Sequence, residues 1–310
     1  MKAIRIHEFG DTGVLELEEL PEPIPAAGEV LIEVRAASVN PVDYKIREGK
    51  YPAVTSEMLP VTLGRDVAGV IAAVGEGATD FETGDEVFAM LPPNRGGFAE
   101  WVTAPAEICA AKPVRLDMVQ AASVPLAALT AWQGLFTYGG LKAGQRVLIH
   151  GASGGVGPFA VQFAKVRGAK VFATASAETR AFVEGLGADR VIDYQAERFE
   201  EIVKGADLVY DLVGGETEDR SWQVLERGGT LISTVHQHDA AKAAEAGVTA
   251  RRYTAQADGG QLREIAKLID DGKVRVAIDR VYPLDQAAEA ERHLENDHVV
   301  GKVVLEVAAM

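Results

Sequence analysis

The chain has 310 residues, 47% hydrophobic and 25% charged, with a formal net charge of −15. That length supplies about two domains with a large buried interior, and the composition excludes a disordered or low-complexity chain. The acidic balance argues against a nucleic-acid partner, which would need clustered Lys and Arg to displace counterions from phosphates. Cys109 is the single cysteine, which excludes an intrachain disulfide and a multi-cysteine zinc site and suggests a reducing, cytoplasmic setting. The opening "MKAIRIHEFGDTGVLELEEL" lacks the apolar region of a signal peptide. No run approaches the roughly 18 apolar residues of a membrane helix, so no membrane partner is expected.

From Met1 to about Pro125, short apolar runs ("VLIEVRAASV", "VAGVIAAVG", "DEVFAM", "GFAEWVTAP") alternate with Gly, Pro and Asp, the pattern of a strand-rich domain. From about Leu126 the rhythm becomes strand then helix. "RVLIHG" precedes "VGPFAVQFAKV", "KVFATA" precedes "ETRAFVEGLG", and "RVIDY" precedes "AERFEEIVKG". "DLVYDLVGG" then precedes "DRSWQVLERGG", and "TLISTV" follows. This alternation implies crossover connections and a buried parallel sheet, a doubly wound α/β domain. After "LREIAKLIDDGKV", the run "DRVYPLDQAAEAERHLEN" and the closing "GKVVLEV" read as a strand, a helix and a last strand that return to the first domain. The expected organisation is therefore 1–125 with 272–310 as one domain and 126–271 as the other.

In "HGASGGVG", Gly151, Gly154 and Gly157 lie between an expected strand and an expected helix, the context a dinucleotide fingerprint requires. Glycine permits the sharp turn, the approach to a pyrophosphate and close helix–strand packing, while free amides at the helix start attract anions. Ser153, Gly155 and Val156 complete the loop. The spacing is G-x-x-G-x-x-G, one residue longer than the commonest form. A tight turn without ligand is the bland alternative, and the repeated strand–helix units downstream favour the dinucleotide. The second strand ends "FATASAETR", without the carboxylate that would hold the ribose hydroxyls of NAD. A 2′-phosphate is acceptable there, which points to NADPH, with Ser176, Arg180 and Tyr194 as candidate ligands. Ser176 reads equally as a helix N-cap, and Arg180 as a solvated charge.

The motifs "ASVNPVDYKIREG", "LGRDVAGVIAAVG", "GDEVFA", "GGFAEWV", "PLAALTAWQGL", "VLIHGASGGVG", "VYDLVGG" and "GKVVLEV" cover nearly the whole chain in order. By these it resembles the zinc-independent quinone oxidoreductases of the medium-chain dehydrogenase/reductase superfamily. The resemblance implies a GroES-like substrate domain plus a Rossmann domain, a homodimer, and NADPH-dependent reduction of small-molecule quinones or α,β-unsaturated carbonyls. Where zinc-using relatives have Cys-His the chain reads Asn40-Pro41, and where they have Gly-His-Glu it reads Gly64-Arg65-Asp66. No metal is therefore expected. Of the six histidines, only His236 and His238 stand close together, and they read as a polar loop rather than a chelate.

By motif position, the resemblance places Asn40 beside the nicotinamide and Lys45 and Tyr51 near the substrate oxygen, a cation and a hydroxyl donor suited to polarising a carbonyl. Lys45 also reads as a surface charge and Tyr51 as a packing residue. Asp43 is read as a structural carboxylate, since a free anion beside a developing enolate would oppose the reaction. Thr130 matches the family's residue at the nicotinamide carboxamide, or bonds its own backbone. Val213 and Gly214, with Gly215, end a Rossmann strand where ligands collect. Val235 extends that edge, although "STVHQHDA" departs from the family's pattern. In the closing run His298-Val299-Val300-Gly301-Lys302 the family's arginine is missing, which puts a phosphate contact from that segment in doubt. The alternatives to a quinone or enone reductase are a 2-enoyl thioester reductase, which the acidic surface disfavours, and a non-catalytic NADPH-binding protein.

Overall fold

The computed structural model describes residues 1–235 and 238–307. The chain divides into two compact units, one formed by Met1–Leu126, Ala257–Gly272 and Val276–Met310, the other by Ala127–Gln256 and Lys273–Arg275. The helix Gly259–Asp270 thus belongs to the first unit, whereas the sequence pattern places it in the second. Its first residue explains the difference: a Cβ on Gly259 would lie 2.4 Å from the Glu107 carbonyl oxygen and 2.5 Å from that of Cys109. The far end is tied by Asp270, which accepts from the Arg115 amide at 3.1 Å.

The first unit is strand-rich. Its main sheet runs in the order Ile278–Pro283, Lys302–Glu306, Glu29–Val39, Asp66–Val74, Glu86–Met90, Cys109–Ala111, and Trp101–Pro105 also pairs with Glu29–Val39. In the long strand "EVLIEVRAASV" alternate residues Val30, Ile32, Val34 and Ala36 are buried, which fixes the register because a one-residue slip would turn them all outward. Two registers matter for the site. Val303 opposes Val39, so Lys302 falls beside Asn40. Ala68 opposes Ala36, so Asp66 falls beside Ser38. The chain leaves the strand at Asn40, and Pro41 opens the helix Pro41–Arg47, where its missing N–H costs nothing.

The second unit holds a six-stranded, wholly parallel sheet in the order Arg190–Asp193, Lys170–Ala175, Arg146–Ile149, Ala206–Asp211, Leu225–Ser233, Thr249–Arg252. Val147, Leu148 and Ile149 are fully buried, as expected of a strand covered on both faces. The strand order reverses between Arg146–Ile149 and Ala206–Asp211, so the carboxyl ends of those strands form the topological switch point. Two elements differ from expectation. "TARR" (Thr249–Arg252) is a sixth, mostly exposed edge strand with no apolar run to announce it. The helix expected over 219–229 is Glu216–Ser221, and the strand already begins at Leu225.

The helix Pro125–Trp132 continues as a π-helical stretch, Gln133–Tyr138. There the Tyr210 and Tyr253 hydroxyls lie 2.5 Å apart, 3.0 and 2.6 Å from the Thr130 carbonyl oxygen. Gly134 makes room for them, since a Cβ would sit 2.5 Å from the Tyr253 hydroxyl and 2.6 Å from Tyr210 Cζ. Gly134→Ala is expected to destabilise the protein by about 1–3 kcal/mol through overpacking, read as a lowered Tm; an unchanged Tm would contradict this packing.

Candidate functional site

In the second unit, the glycine loop leaves the central strand at the switch point. Gly151 has φ +72°, and a Cβ on Gly157 would lie 2.3 Å from the Gly151 carbonyl oxygen and 2.5 Å from Ala152 Cα. Gly157 therefore packs the helix Gly157–Val166 onto the loop. A Cβ on Gly154 would meet only the Gly151 carbonyl oxygen, at 3.7 Å. Gly154, Gly155 and Val156 are partly exposed, while Ser153 is buried. The loop thus presents backbone outward at a helix start, the geometry that suits a pyrophosphate.

The residue before the loop, His150, had no role assigned from sequence, and it anchors the turn. Ser221 Oγ donates to the Thr217 carbonyl oxygen at 2.6 Å, so it must accept from His150 Nε2–H at 3.0 Å. His150 Nδ1 then accepts from the Thr174 hydroxyl at 3.1 Å. This neutral tautomer ties the first Rossmann strand to the second and to the helix Glu216–Ser221, and burial pushes the imidazole pKa down to about 3.

At the end of the second strand, Ser176 is buried and shares a 3.1 Å hydroxyl contact with Thr179. Thr179, not Ser176, is the N-cap residue of the helix Arg180–Gly185. Tyr194 is 50% exposed, and its amide donates to the Ala175 carbonyl oxygen at 3.2 Å. Arg180 is not a free charge: it donates to Glu197 Oε2 at 2.8 Å. Glu197 also binds Arg190 and accepts from the Asp193 amide at 2.9 Å, and that amide and Arg180 hold its carboxyl below the usual range. Glu197 carries no motif, and its local signal is its place four residues after Asp193.

The strand expected to end at Gly215 stops at Asp211. Buried Asp211 Oδ1 accepts from the Val213 and Gly214 amides, each at 3.0 Å, and Gly214 and Gly215 follow with φ +80° and +60°. Val213 is 55% and Val235 42% exposed. With Tyr194, they put three exposed apolar side chains just past the carboxyl ends of three parallel strands, where this fold class collects ligands. Buried Thr130 contributes the carbonyl that the two tyrosines approach. His238 is buried with Nδ1 3.0 Å from Glu218 Oε1, and His236 lies outside the described residues.

In the first unit, the strand registers gather a buried polar cluster. Asp66 Oδ2 accepts from Ser38 Oγ at 2.6 Å and from Asn40 Nδ2 at 2.9 Å, and Oδ1 accepts from the Leu126 amide at 2.7 Å. Asn40 Nδ2 also donates to the Ser38 carbonyl oxygen at 3.1 Å, and Lys302 Nζ donates to Asn40 Oδ1. Asn40 is 1% exposed, so its side chain, expected beside the nicotinamide, is engaged within the cluster. Lys302 is a further residue of the site, and its signal in the sequence is a lysine followed directly by the apolar run Val303–Leu305. Burial pushes the Lys302 pKa down and that of Asp66 up, each opposed by the other's charge.

These residues do not fit the zinc of metal-using relatives. Both Asp66 oxygens are occupied, Asn40 is a weak ligand whose amide is saturated, and Arg65 is a cation whose Nε donates to the Leu91 carbonyl oxygen at 2.6 Å. Among the described residues, one group of three His, Cys or carboxylate side chains has ligand atoms within 4.8 Å of one another: Glu16 and Glu18 on the strand Glu16–Glu19, and His7 just past the strand Lys2–Ile6. There His7 is already bonded to Glu18.

On the helix Pro41–Arg47, Lys45 is half-buried and forms no ion pair among the described residues. Tyr51, also half-buried, packs against the core cluster. Asp43 is structural, as expected: Oδ2 accepts from the Asn40 amide at 2.7 Å. Burial first, and then the neighbouring Glu291 charge, push its carboxyl up to about 8. The folded protein thus holds a proton that the unfolded chain, near 3.8, releases, so Asp43 costs stability increasingly as pH rises from about 4 to about 8. Asp43→Asn keeps an acceptor for Asn40 and is expected to flatten the fall of Tm between about pH 5 and 8. Parallel Tm curves for the two proteins would contradict the assignment.

Comparison with known proteins identifies the family. Residues 26–114 match the family model described as an alcohol dehydrogenase GroES-like domain, and residues 186–305 one described as a zinc-binding dehydrogenase. The chain is 37% identical to a mitochondrial NAD(P)H oxidoreductase of Mus musculus, over 99% of this chain and 89% of that protein. It is equally 37% identical to a chloroplastic NADPH-dependent alkenal/one oxidoreductase of Arabidopsis thaliana, over 98% of this chain and 79% of that protein. Among solved structures, Escherichia coli quinone oxidoreductase complexed with NADPH superposes with a TM-score of 0.89 at 29% identity, covering 99% of this chain and all of that one.

Proposed function

The chain belongs to the quinone oxidoreductase family of the medium-chain dehydrogenase/reductase superfamily, and we propose that it is an NADPH-dependent reductase of quinones or α,β-unsaturated carbonyls. The observation that carries this reading is the carboxyl edge of the parallel sheet: a glycine turn opening onto a helix start, a second strand ending in Ala175-Ser176 without a carboxylate, and exposed Val213, Val235 and Tyr194 alongside. The alkenal/one oxidoreductase relative is by name NADPH-dependent, and the cradle fits that cofactor.

The pyrophosphate would lie against the amides of the Gly151–Gly157 loop, with Ser153, Gly154, Gly155 and Val156 supplying its surface. Ser176, Arg180 and Tyr194 would take the 2′-phosphate, Arg180 turning from Glu197 to share its guanidinium with the dianion. Thr130, Val213, Gly214 and Val235 would line the nicotinamide end. When bound, NADPH supplies a hydride. The protein's role is then to align the electrophilic carbon and to stabilise the negative charge that develops on the acceptor oxygen. The Lys45 ammonium stabilises that charge, and the Tyr51 hydroxyl donates a hydrogen bond to the same oxygen. Among the described residues Thr249–Arg252 pairs with a strand on one side only, an edge suited to pairing two copies into a homodimer. We place the enzyme in the cytoplasm, a reducing setting in keeping with its single cysteine, Cys109.

The test is a binding titration with NADPH and NADH, followed by addition of a quinone, an enone and a 2-enoyl thioester. Cofactor oxidation by the quinone or enone is the expected result, and binding with no turnover on any acceptor would overturn the enzymatic reading. Arg180→Ala is expected to weaken NADPH about tenfold, the loss of one charge-assisted contact, and to leave NADH within about twofold. Equal losses for both cofactors would contradict the 2′-phosphate assignment.

A further inference from the structure

In the buried cluster of the first unit, two opposite charges, from the strands on either side of Glu29–Val39, meet the two ends of one neutral amide. Lys302 is 4% exposed and Asp66 fully buried. An ammonium only donates and a carboxylate only accepts, so Lys302 must face Asn40 Oδ1 and Asp66 must face Asn40 Nδ2. The amide is therefore locked in one orientation, with the Ser38 carbonyl oxygen taking its second N–H at 3.1 Å. The backbone is held as well, by the Asn40 amide to Asp43 and by a 3.4 Å contact from Lys302 to the Val39 carbonyl oxygen. Everything converges on the junction from which the helix bearing Lys45 departs.

Stability alone does not account for such a pair. Taking an ammonium and a carboxylate out of water costs several kcal/mol per ion, and well-packed apolar residues of similar volume commonly do as well or better. A pair separated by an asparagine forgoes some of its direct attraction and gains a fixed geometry. We propose that Lys302 and Asp66 are positioning residues for hydride transfer, acting through Asn40 to hold the start of the helix Pro41–Arg47 in the pose from which it meets the acceptor. This rests on the reductase function proposed above. The pair touches neither substrate nor cofactor, so its loss should slow the hydride step more than it weakens binding.

The experiment compares wild type with Lys302→Met, Lys302→Arg, Asp66→Asn and the double variant K302M/D66N, at a temperature well below every Tm. Readouts are kcat and KM for NADPH with a quinone acceptor, and the isotope effect on kcat with NADPH deuterated at the transferred position. The expected result for K302M is a kcat lower by about 10- to 100-fold, the usual scale for misplacement within an active site. Its KM for NADPH should stay within about threefold, its isotope effect should rise, and K302R should recover some of the loss. The double variant removes both buried charges, so its Tm should recover relative to either single variant while its kcat stays low. A kcat that recovers with Tm in the double variant, or single variants with wild-type kcat and isotope effect, would overturn the assignment in an active enzyme. An inactive wild type would instead overturn the reductase reading, and this assignment with it.

Discussion

The first unit depends on the orientation of a single amide. Asn40 ends one strand and starts a helix, and its side chain takes Lys302 at one end and Asp66 at the other. Shifting either neighbouring strand by one residue would turn a buried charge onto an apolar face and leave its partner unpaired, a penalty of several kcal/mol. The hydrophobic alternation of Glu29–Val39 and the buried charges therefore demand the same pairing. At the positions where metal-using relatives keep ligands, this chain has an internally saturated network of opposite charges.

The second unit works by a different constraint. Its parallel sheet buries its strands on both faces and leaves the carboxyl edge as the place where backbone polarity is offered outward. His150, uncharged and doubly bonded, fixes the turn from beneath. Asp211 acts similarly at the end of the neighbouring strand, gathering the Val213 and Gly214 amides so that the following glycines turn with positive φ. Around Arg180 the edge is charge-balanced: Glu197 pairs with two arginines, leaving one positive charge in excess for an incoming phosphate.

What was legible in the sequence follows from how far apart the cooperating residues lie. The glycine turn, the strand–helix alternation and the absent carboxylate after the second strand are contiguous patterns, and the folded chain forms the parallel sheet and the strand–turn–helix that the first two announce. Asp43 was also legible, because its role as a cap concerns a neighbour three residues away. The Asn40–Lys302 contact was not, since it joins residues 262 apart and exists only once two antiparallel registers are set. The partner of Arg180 is not legible, because Glu197 reaches it across a turn. The edge strand Thr249–Arg252 escaped notice because three of its four residues are exposed and it has no apolar run. The helix Gly259–Asp270 was assigned to the wrong unit because close packing at a glycine, not composition, decides where it docks.

This chain reduces its acceptor with its own side chains and NADPH, and Asn40 and Asp66 are engaged in an internal hydrogen-bond network with Ser38 and Lys302. The most direct test is to dialyse the protein against a strong chelator, measure bound metal by elemental analysis, and assay NADPH-dependent quinone reduction on the same sample. The account predicts undiminished turnover with zinc far below one ion per chain. Turnover that disappears with the metal and returns in proportion to added zinc would contradict it.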